Sequence, residues 1–199
     1  MPTLKDCHIV VTGGTGALGV AVVRALVAAG AHCHIPAIES EVPADRFPKE
    51  GVSVTLKVDL SDEAAVSGFY AKLPPIHAVV NIAGGFAWAP IADSPLKVLQ
   101  QQLSMNLVSC VLSCREAVAN FRTGGQGGHI VNISARPALN PRQGAGMTAY
   151  TASKAAVAAF TVALAEELKG ESIAVIALAP STIDTPTNRA DMPKANHAS

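Results

Sequence analysis

A tyrosine and a lysine four residues apart, Tyr150 and Lys154, are the two side chains of this sequence best suited to acid–base chemistry. In a helix this spacing places both on one face. Their neighbours are small or apolar, so a lysine there either extends to solvent or has a chemical role. An ammonium about 4 Å from the phenol oxygen favours the phenolate by a few kcal/mol, roughly two to three pK units. We therefore expect a proton-transfer pair in which Lys154 lowers the pKa of Tyr150, while a chance pair on a solvated face stays open for this motif alone.

A glycine-rich turn, Thr12-Gly13-Gly14-Thr15-Gly16-Ala17-Leu18-Gly19, follows the first apolar run of the chain. Glycines permit a tight turn and let backbone N–H groups approach a pyrophosphate, whose charge a helix N-terminus favours. Such turns also join strands to helices without binding anything, but at this place the pattern favours a dinucleotide site. Asp59 follows the third predicted strand, where it is suited to accept a hydrogen bond from an adenine amino group. Its alternative role is to cap the helix that starts near Asp62.

The elements that must position these residues alternate in type along the chain. Strands are predicted at 8–11, 32–35, 52–58, 77–82, 129–134 and 173–178, and helices at 17–29, 62–72, 96–121 and 149–169. Continuous apolar strands alternating with helices predict a parallel sheet covered on both faces. We therefore expect an α/β fold, a Rossmann-type doubly wound parallel sheet, as a single domain over residues 1–199. The tail after Pro180, rich in Pro, Thr, Asn and Asp, is the one candidate boundary, and 181–199 is expected to form a substrate loop region.

Charge and cysteine content exclude several classes of function. The formal net charge is zero, so there is no basic field to attract nucleic acid or an anionic membrane. The apolar stretch 9–31 is interrupted by glycines, threonines and an arginine, and it is better interpreted as strand, turn and helix than as a membrane span. The cysteines show neither metal-ligand nor redox-motif spacing. Free thiols and the lack of a signal sequence predict a cytoplasmic protein without a metal.

Five motifs, in order and spacing, resemble the short-chain dehydrogenase/reductase family over almost the whole chain. They are the glycine turn 12–19, Asn81-Ile82-Ala83-Gly84, Asn106, Tyr150-x-x-x-Lys154 and the segment 180–185. The resemblance implies an NAD(P)H-dependent oxidoreductase that transfers a hydride between nicotinamide and a small carbonyl substrate, with tyrosine as general acid or base. It also implies a homodimer or homotetramer. The apolar helices predicted at 96–121 and 149–169 would form the four-helix contact between two copies.

The resemblance implies a role for each matching residue. The pyrophosphate and the adjacent ribose would be bound by Gly13, Thr15, Gly16, Leu18 and Gly19. Adenine would lie between Asp59 and Leu60, the cofactor cleft would be lined by Asn81, Ala83 and Gly84, and the nicotinamide end would meet Pro180, Ile183 and Thr185. Lys154 would hold the nicotinamide ribose and tune Tyr150, and Asn106 would anchor a water that joins Lys154 to solvent. Structural alternatives remain for single members: Asn106 as a backbone cap and Pro180 as the end of a strand.

The chain departs from the family pattern after the fifth strand. The usual catalytic serine aligns with Ala135, and the neighbouring Ser134 should face away, because adjacent strand residues point to opposite faces. Losing one donor to a developing oxyanion typically costs on the order of a hundred- to a thousandfold in rate. The alanine, Ala83-Gly84-Gly85-Phe86 and 183–189 with Met192-Pro193 resemble dihydropteridine reductases, whose quinonoid dihydropterin is an electron-poor acceptor that tolerates the loss. The alternatives are a ketoreductase or alcohol dehydrogenase that uses Ser134, and a dinucleotide-binding regulator without turnover.

Two further expectations concern the cofactor and the sheet edge. NAD enzymes normally carry an acidic residue at the end of the second strand, but the aligned position here is Ala37. No Arg or Lys occurs between Arg24 and Arg46 to meet a 2′-phosphate, and Glu39 would repel one. We therefore expect NAD or NADP with a preference for NAD. Because family members usually continue beyond the length of this chain, the resemblance also implies that the seventh strand is missing.

Overall fold

The computed structural model describes residues 4–191 and contains one six-stranded sheet in the order β3-β2-β1-β4-β5-β6. The strands are β1 (His8–Thr12), β2 (His32–Pro36), β3 (Val52–Thr55), β4 (Ala78–Asn81), β5 (Gly128–Ile133) and β6 (Ile173–Leu178). All five strand pairings are parallel. The predicted Rossmann-type parallel sheet is therefore confirmed.

The helices follow the predicted order but differ from it in detail. They are α1 (Ala17–Ala28), α2 (Glu63–Tyr70), α3 (Leu96–Leu103), α4 (Ser109–Gly124), α5 (Arg136–Leu139), α6 (Thr148–Glu167) and α7 (Pro186–Asp191). The helix predicted over 96–121 is interrupted by a π-helical turn, Ser104–Val108, between α3 and α4. Helix α4 ends at Gly124 and is capped by Gly125, whose left-handed conformation (φ 69°) is one that glycine adopts at low cost. The short helices α5 and α7 were not predicted.

Alternation along the strands divides the core between the two faces of the sheet. Ile9 and Val11 of β1 pack in the cluster beneath α1, whereas Val10 points the other way. On that second face Val79 and Ile130 pack against Phe121 of α4 and against α2 and α6. Helices therefore cover both faces, as a doubly wound sheet requires.

The strand order reverses between β1 and β4, and this reversal defines where a ligand can enter. From β1 the chain winds outward through β2 and β3, and from β4 it winds the other way through β5 and β6. Loops that leave the carboxyl ends of β1 and β4 consequently diverge and open a crevice. Within residues 4–191 the sheet has six strands, with β6 at its edge, where Ile176 and Leu178 are each about half exposed. In this part of the chain no helix is long and apolar enough to cross a bilayer.

Candidate active site

The glycine turn packs directly against the loop that follows β4. Gly13 has a positive φ of 64°, and a Cβ atom there would lie 2.7 Å from the backbone nitrogen of Ala83. A Cβ on Gly19 would collide with the carbonyl of Gly13. Helix α1 begins immediately after Gly16. The turn therefore presents bare backbone and a helix N-terminus to the crevice, which is the arrangement that a pyrophosphate needs.

A cavity of about 220 Å³ lies at the outer end of the crevice, beyond the turn. Its lining includes Ala37, Glu39, Asp59 and Leu60. One carboxylate oxygen of Asp59 accepts from the backbone N–H of Ser61 at 2.8 Å and from its hydroxyl at 2.7 Å. The cap of α2 is Asp62 instead, so the alternative role for Asp59 as that cap is wrong.

Two oppositely charged side chains contact Thr15 at this end. The Thr15 hydroxyl donates to the Glu39 carboxylate at 2.8 Å, and the Arg46 guanidinium donates to the Thr15 carbonyl. Arg46 is thus drawn back from the β2–β3 connection to the glycine turn. The two residues are 31 positions apart in the chain, so this contact depends on tertiary packing.

Tyr150 and Lys154 project from the first turns of α6 into the opposite end of the crevice. Lys154 is only 5% exposed, and its ammonium donates to the carbonyl of Ile133, the last residue of β5, at 2.9 Å. Burial lowers the pKa of Lys154 to about 8. The Tyr150 ring meets Phe86 edge-on, with the ring centres 5.1 Å apart.

Burial raises the pKa of Tyr150 above its ordinary value. The pKa of Tyr150 is therefore not lowered in this structure, and its tuning by Lys154 stays a prediction. The physical reason is that the ammonium is directed to the Ile133 carbonyl while the phenol loses water, and removal from water disfavours the phenolate. Tyr150 is consequently a neutral phenol, a proton donor, at neutral pH.

Asn106 lies in the π-helical turn and holds the loop after β4. Its carboxamide exchanges two hydrogen bonds of 3.0 Å with the backbone of Gly85, and its amino group also reaches the Ser153 hydroxyl at 3.0 Å. A Cβ on Gly84 would meet the Asn106 oxygen and would lie 3.2 Å from the Lys154 nitrogen. Asn106 therefore positions the glycine loop against α6. The water-anchoring role stays a prediction.

Asn81 belongs to a buried polar network below the crevice. Its amide donates to Asn132 at 2.9 Å, and Asn132 donates to the Thr161 hydroxyl of α6 at 2.9 Å. Thr12 donates to the Asn81 oxygen at 3.4 Å and accepts from the backbone N–H of Ala83. These bonds tie β1, β4, β5 and α6 together, so Asn81 acts on the cleft through the loop that it supports.

Ser134 and Ala135 decide whether this chain has a hydroxyl at the place of the family's catalytic serine. Its hydroxyl donates to the backbone carbonyl of Lys154 at 2.8 Å, and the residue is only 2% exposed. Ala135, at the family's serine position, lines a cavity of about 530 Å³ next to Tyr150, which we call the wide cavity. Ser134 also contributes to the lining of this cavity, but its hydroxyl is occupied by helix backbone, so its predicted orientation away from the cleft stays a prediction.

Three cavities that share lining residues form one cleft from the adenine end to the tyrosine. Their volumes are about 220, 490 and 530 Å³. They bring together most of the predicted site residues, namely Gly13, Thr15, Gly16, Leu18, Gly19, Asp59, Leu60, Ala83, Gly84, Tyr150, Lys154, Pro180, Ile183 and Thr185. Asn81 and Asn106 lie behind the lining.

Sequence reasoning missed several residues that line the wide cavity: Ile133, Arg136, Gln143 and Met147. The rule that ligands bind at the carboxyl ends of parallel strands could have identified Ile133, the last residue of β5. Nothing in the local pattern marks the other three, because the loop between β5 and α6 is brought to the cleft by tertiary packing. Among residues 4–191, no group of three or more His, Cys, Asp or Glu side chains is arranged to hold a metal ion.

The family model for short chain dehydrogenase matches residues 7–196. The chain therefore belongs to the short-chain dehydrogenase family. It is 30% identical over 188 residues to a probable oxidoreductase, EphD, of Mycobacterium tuberculosis strain H37Rv, covering 90% of this chain and 31% of that protein. It is 29% identical to a 2-dehydro-3-deoxy-L-rhamnonate dehydrogenase (NAD(+)) of Sphingomonas sp. strain SKA58, covering 89% of this chain and 72% of the relative.

The solved structures similar to this chain have the same fold. A short chain dehydrogenase from Burkholderia cenocepacia J2315, in complex with NADP, gives a TM-score of 0.84 at 23% identity, covering 95% of this chain and 78% of that one. A second structure, of a short chain dehydrogenase/reductase family protein, gives a TM-score of 0.85 at 26% identity. The match covers 98% of this chain and 82% of that one. The present chain spans less than a third of the length of EphD and 61% of a fungal short chain dehydrogenase from Pseudocercospora fijiensis, to which it is 31% identical.

Proposed function

We propose that this chain is an NAD(P)H-dependent oxidoreductase that transfers a hydride between nicotinamide and a small carbonyl or quinonoid dihydropterin-like substrate. The observation that carries the proposal is the single cleft with the glycine turn at one end and Tyr150 with Lys154 at the other. A dinucleotide site without a proton donor would serve binding alone. Here a half-buried phenol lies at the end where the reacting ring of a dinucleotide would lie.

The residues of the cleft fit a dinucleotide. Gly13 and Gly19 leave the bare backbone that a pyrophosphate requires, because a side chain at either place would collide with neighbouring backbone. Asp59 and Leu60 would flank the adenine, and the nicotinamide, when bound, would supply the hydride. Lys154 would bind the ribose hydroxyls through an ammonium that remains mostly charged at neutral pH, since its pKa is about 8.

Tyr150 would hold the proton that the substrate oxygen or nitrogen receives. Its pKa is raised by burial, so the phenol is protonated at neutral pH and is suited to the reductive direction. Ala135 places a methyl group where the family has a hydroxyl, which removes one donor to a developing oxyanion. That loss favours an activated, electron-poor acceptor over a plain ketone.

The two alternatives find less support in the contacts. A ketoreductase that uses Ser134 would need the hydroxyl in the cleft, but it donates to the Lys154 carbonyl. A regulator without turnover would not need a half-buried tyrosine one helical turn from a buried lysine. Only Ala135 favours such a regulator.

The proposed preference for NAD depends on two side chains with opposite charges. Glu39 lines the cavity of about 220 Å³ proposed for adenine. Its carboxylate would accept a hydrogen bond from a ribose hydroxyl or repel a 2′-phosphate. Arg46, held at the Thr15 carbonyl, is the nearby cation that would favour the phosphate. Dissociation constants of NADH and NADPH, measured for the wild type and for Glu39→Gln, test the preference. Glu39→Gln should improve NADPH binding several-fold, and a tenfold wild-type preference for NADPH, about 1.4 kcal/mol, would overturn the proposal.

We further propose a homodimer or homotetramer in which the surfaces of α3, α4 and α6 meet. Leu96, Met105 and Val162 support it, because they are 67%, 41% and 72% exposed on these helices and the turn between them. Light scattering at micromolar concentration tests it, and a monomer would count against it. The four free cysteines favour the proposed cytoplasmic location.

Residues 181–199 are proposed to act as the substrate loop. Ile183 lines the wide cavity, and its carbonyl accepts from the Asn188 side chain at 2.7 Å. The Thr185 hydroxyl accepts from the Asn188 backbone N–H at 3.1 Å. Residues 192–199, which include Met192-Pro193, lie outside the described part of the chain.

The decisive experiment follows the absorbance of NADH and NADPH with quinonoid dihydropterin and a panel of ketones, for the wild type and Tyr150→Phe. We expect Tyr150→Phe to lower turnover of the best substrate by about two orders of magnitude or more, a typical scale for losing a general acid. Dinucleotide binding should stay within a few-fold. Near-full turnover by the variant, or no turnover by the wild type with any substrate, would contradict the proposal.

A further inference from the structure

The charged side chains that line the wide cavity beside Tyr150 are all positive. Among the described residues that line it, the ionisable cations are Arg136 and Lys154, and there is no aspartate or glutamate. Its volume is about 530 Å³, enough for a small substrate next to a nicotinamide ring. Positive side chains without a negative neighbour give the cavity a positive potential, which attracts an anionic ligand.

Arg136 differs from the other arginines in its contacts. Arg115, Arg122 and Arg189 each pair with a carboxylate, whereas the Arg136 guanidinium has no hydrogen-bond or ion-pair partner within residues 4–191. Arg142 also lacks one in this part of the chain, but it does not line the cavity. Arg136 is therefore the cation that the fold leaves available at the mouth of the cleft.

The base of the Arg136 side chain is fixed. Its backbone N–H donates to the Pro180 carbonyl at 2.9 Å, and its carbonyl accepts from Asn140 at 3.1 Å. Pro137 follows directly and restricts the backbone further. The side chain thus starts from a rigid point between the end of β5 and the segment after β6, so only its own rotamers need to be ordered when a ligand binds.

We propose that Arg136 binds a carboxylate of the substrate, so that the enzyme acts on a carbonyl or imine compound carrying an anionic group a short distance from the reacting carbon. This inference rests on the proposed function, because it assigns the substrate class of the same cleft. The planar guanidinium fork matches a carboxylate with two parallel hydrogen bonds. Lys154 is not the alternative, since its ammonium donates to the Ile133 carbonyl deeper in the site.

Two aldehydes of matched size, 4-formylbenzoate and 4-formylbenzamide, test the inference by turnover. We expect the wild type to favour the carboxylate in kcat/KM by at least about tenfold, which corresponds to one charge-assisted hydrogen bond. Arg136→Gln should remove this preference, and Arg136→Lys should keep part of it. Arg142→Gln, an exposed arginine six residues further on, should keep all of it.

Calorimetry with benzoate and benzamide, in the presence of oxidised dinucleotide, separates this inference from the proposed function because it needs no turnover. Tighter binding of benzoate by wild type and by Arg142→Gln, with no such difference in Arg136→Gln, supports the role of Arg136 even if neither aldehyde is reduced. Equal affinities in the wild type, binding of neither compound, or an unchanged preference in Arg136→Gln would overturn it.

Discussion

Basic groups lie at both ends of the same sheet, and at each end partial or full loss of water lowers the pKa of at least one of them. At the amino-terminal ends of β1, β2 and β4, the rings of His8, His32, His34 and His77 lie close together. His8 Nδ1 and His34 Nε2 are 2.9 Å apart, and burial, helped by the neighbouring rings, lowers the pKa of His34 to about 4. At the carboxyl ends, burial lowers the pKa of Lys154 to about 8.

The difference between the two regions lies in what each group faces. His8 and His34 lie within hydrogen-bond distance of each other, and they can lose their charge at little cost because an isolated imidazole titrates near pH 6.5. Lys154 keeps most of its charge at neutral pH, and it faces a cleft. A lowered pKa alone therefore does not identify a functional site. A charged group that is held partly dry beside an open cleft does so more reliably.

The largest expected effect separates stability from function at Lys154. Lys154→Met should reduce turnover by about two orders of magnitude or more, because the proposed contact to the nicotinamide ribose is lost. Stability should rise by about 1–2 kcal/mol. Keeping a lysine charged with its pKa lowered to about 8 costs about 3 kcal/mol at neutral pH, and the lost bond to the Ile133 carbonyl offsets about 1 kcal/mol of the gain. Urea unfolding and steady-state kinetics measure the two.

The control for this variant is Lys169→Met. The Lys169 side chain is 74% exposed and pairs with Glu166 at the surface. Its replacement should therefore change the free energy of unfolding by no more than about 0.5 kcal/mol and turnover by no more than about twofold. A marked loss of stability in Lys154→Met together with wild-type turnover would remove the distinction between the two regions.

The histidine region predicts a loss of stability in mild acid. The unfolded chain binds a proton at His34 near pH 6.5, whereas the folded chain does so only near pH 4. Stability from this residue is therefore complete above about pH 6.5 and falls as the pH decreases toward 4. Between about pH 7 and pH 5 the expected loss is about 2 kcal/mol.

Urea midpoints at the two pH values, for the wild type, His34→Gln and His129→Gln, measure this loss. His34→Gln should flatten the dependence, whereas His129→Gln changes an exposed histidine of β5 and should leave it intact. An equally steep loss in His34→Gln would mean that other groups control the acid sensitivity.

The smallest effect is expected at Ser134, which lines the wide cavity but whose hydroxyl bonds to helix backbone. Ser134→Ala should cost about 1 kcal/mol of stability, since its hydroxyl bonds to the Lys154 carbonyl, and should leave turnover within about twofold. Thermal unfolding and kinetics check both. A tenfold loss of turnover at unchanged stability would instead favour the ketoreductase alternative.

Local sequence patterns determined most of the architecture. Apolar runs alternating with helical segments predicted the parallel sheet, and β6 begins and ends at the predicted residues. The glycine turn and the Tyr150–Lys154 pair could also be located, because spacing within one turn or one helix dictates which groups lie together. These are properties of a few consecutive residues, and they hold before any packing is known.

Tertiary structure alone decided how the site is charged and which groups reach it. The partner of Lys154 is a carbonyl 21 positions away, Arg46 reaches the glycine turn across 31, and Arg136 is anchored by Pro180. Because the pKa of a buried group depends on its loss of water and on neighbours distant in sequence, the direction of the shift at Tyr150 could not be predicted from local spacing. The sequence thus located Tyr150 and Lys154 as candidates for proton transfer, whereas long-range packing shifted their pKa values and placed Arg136 in the same cavity lining.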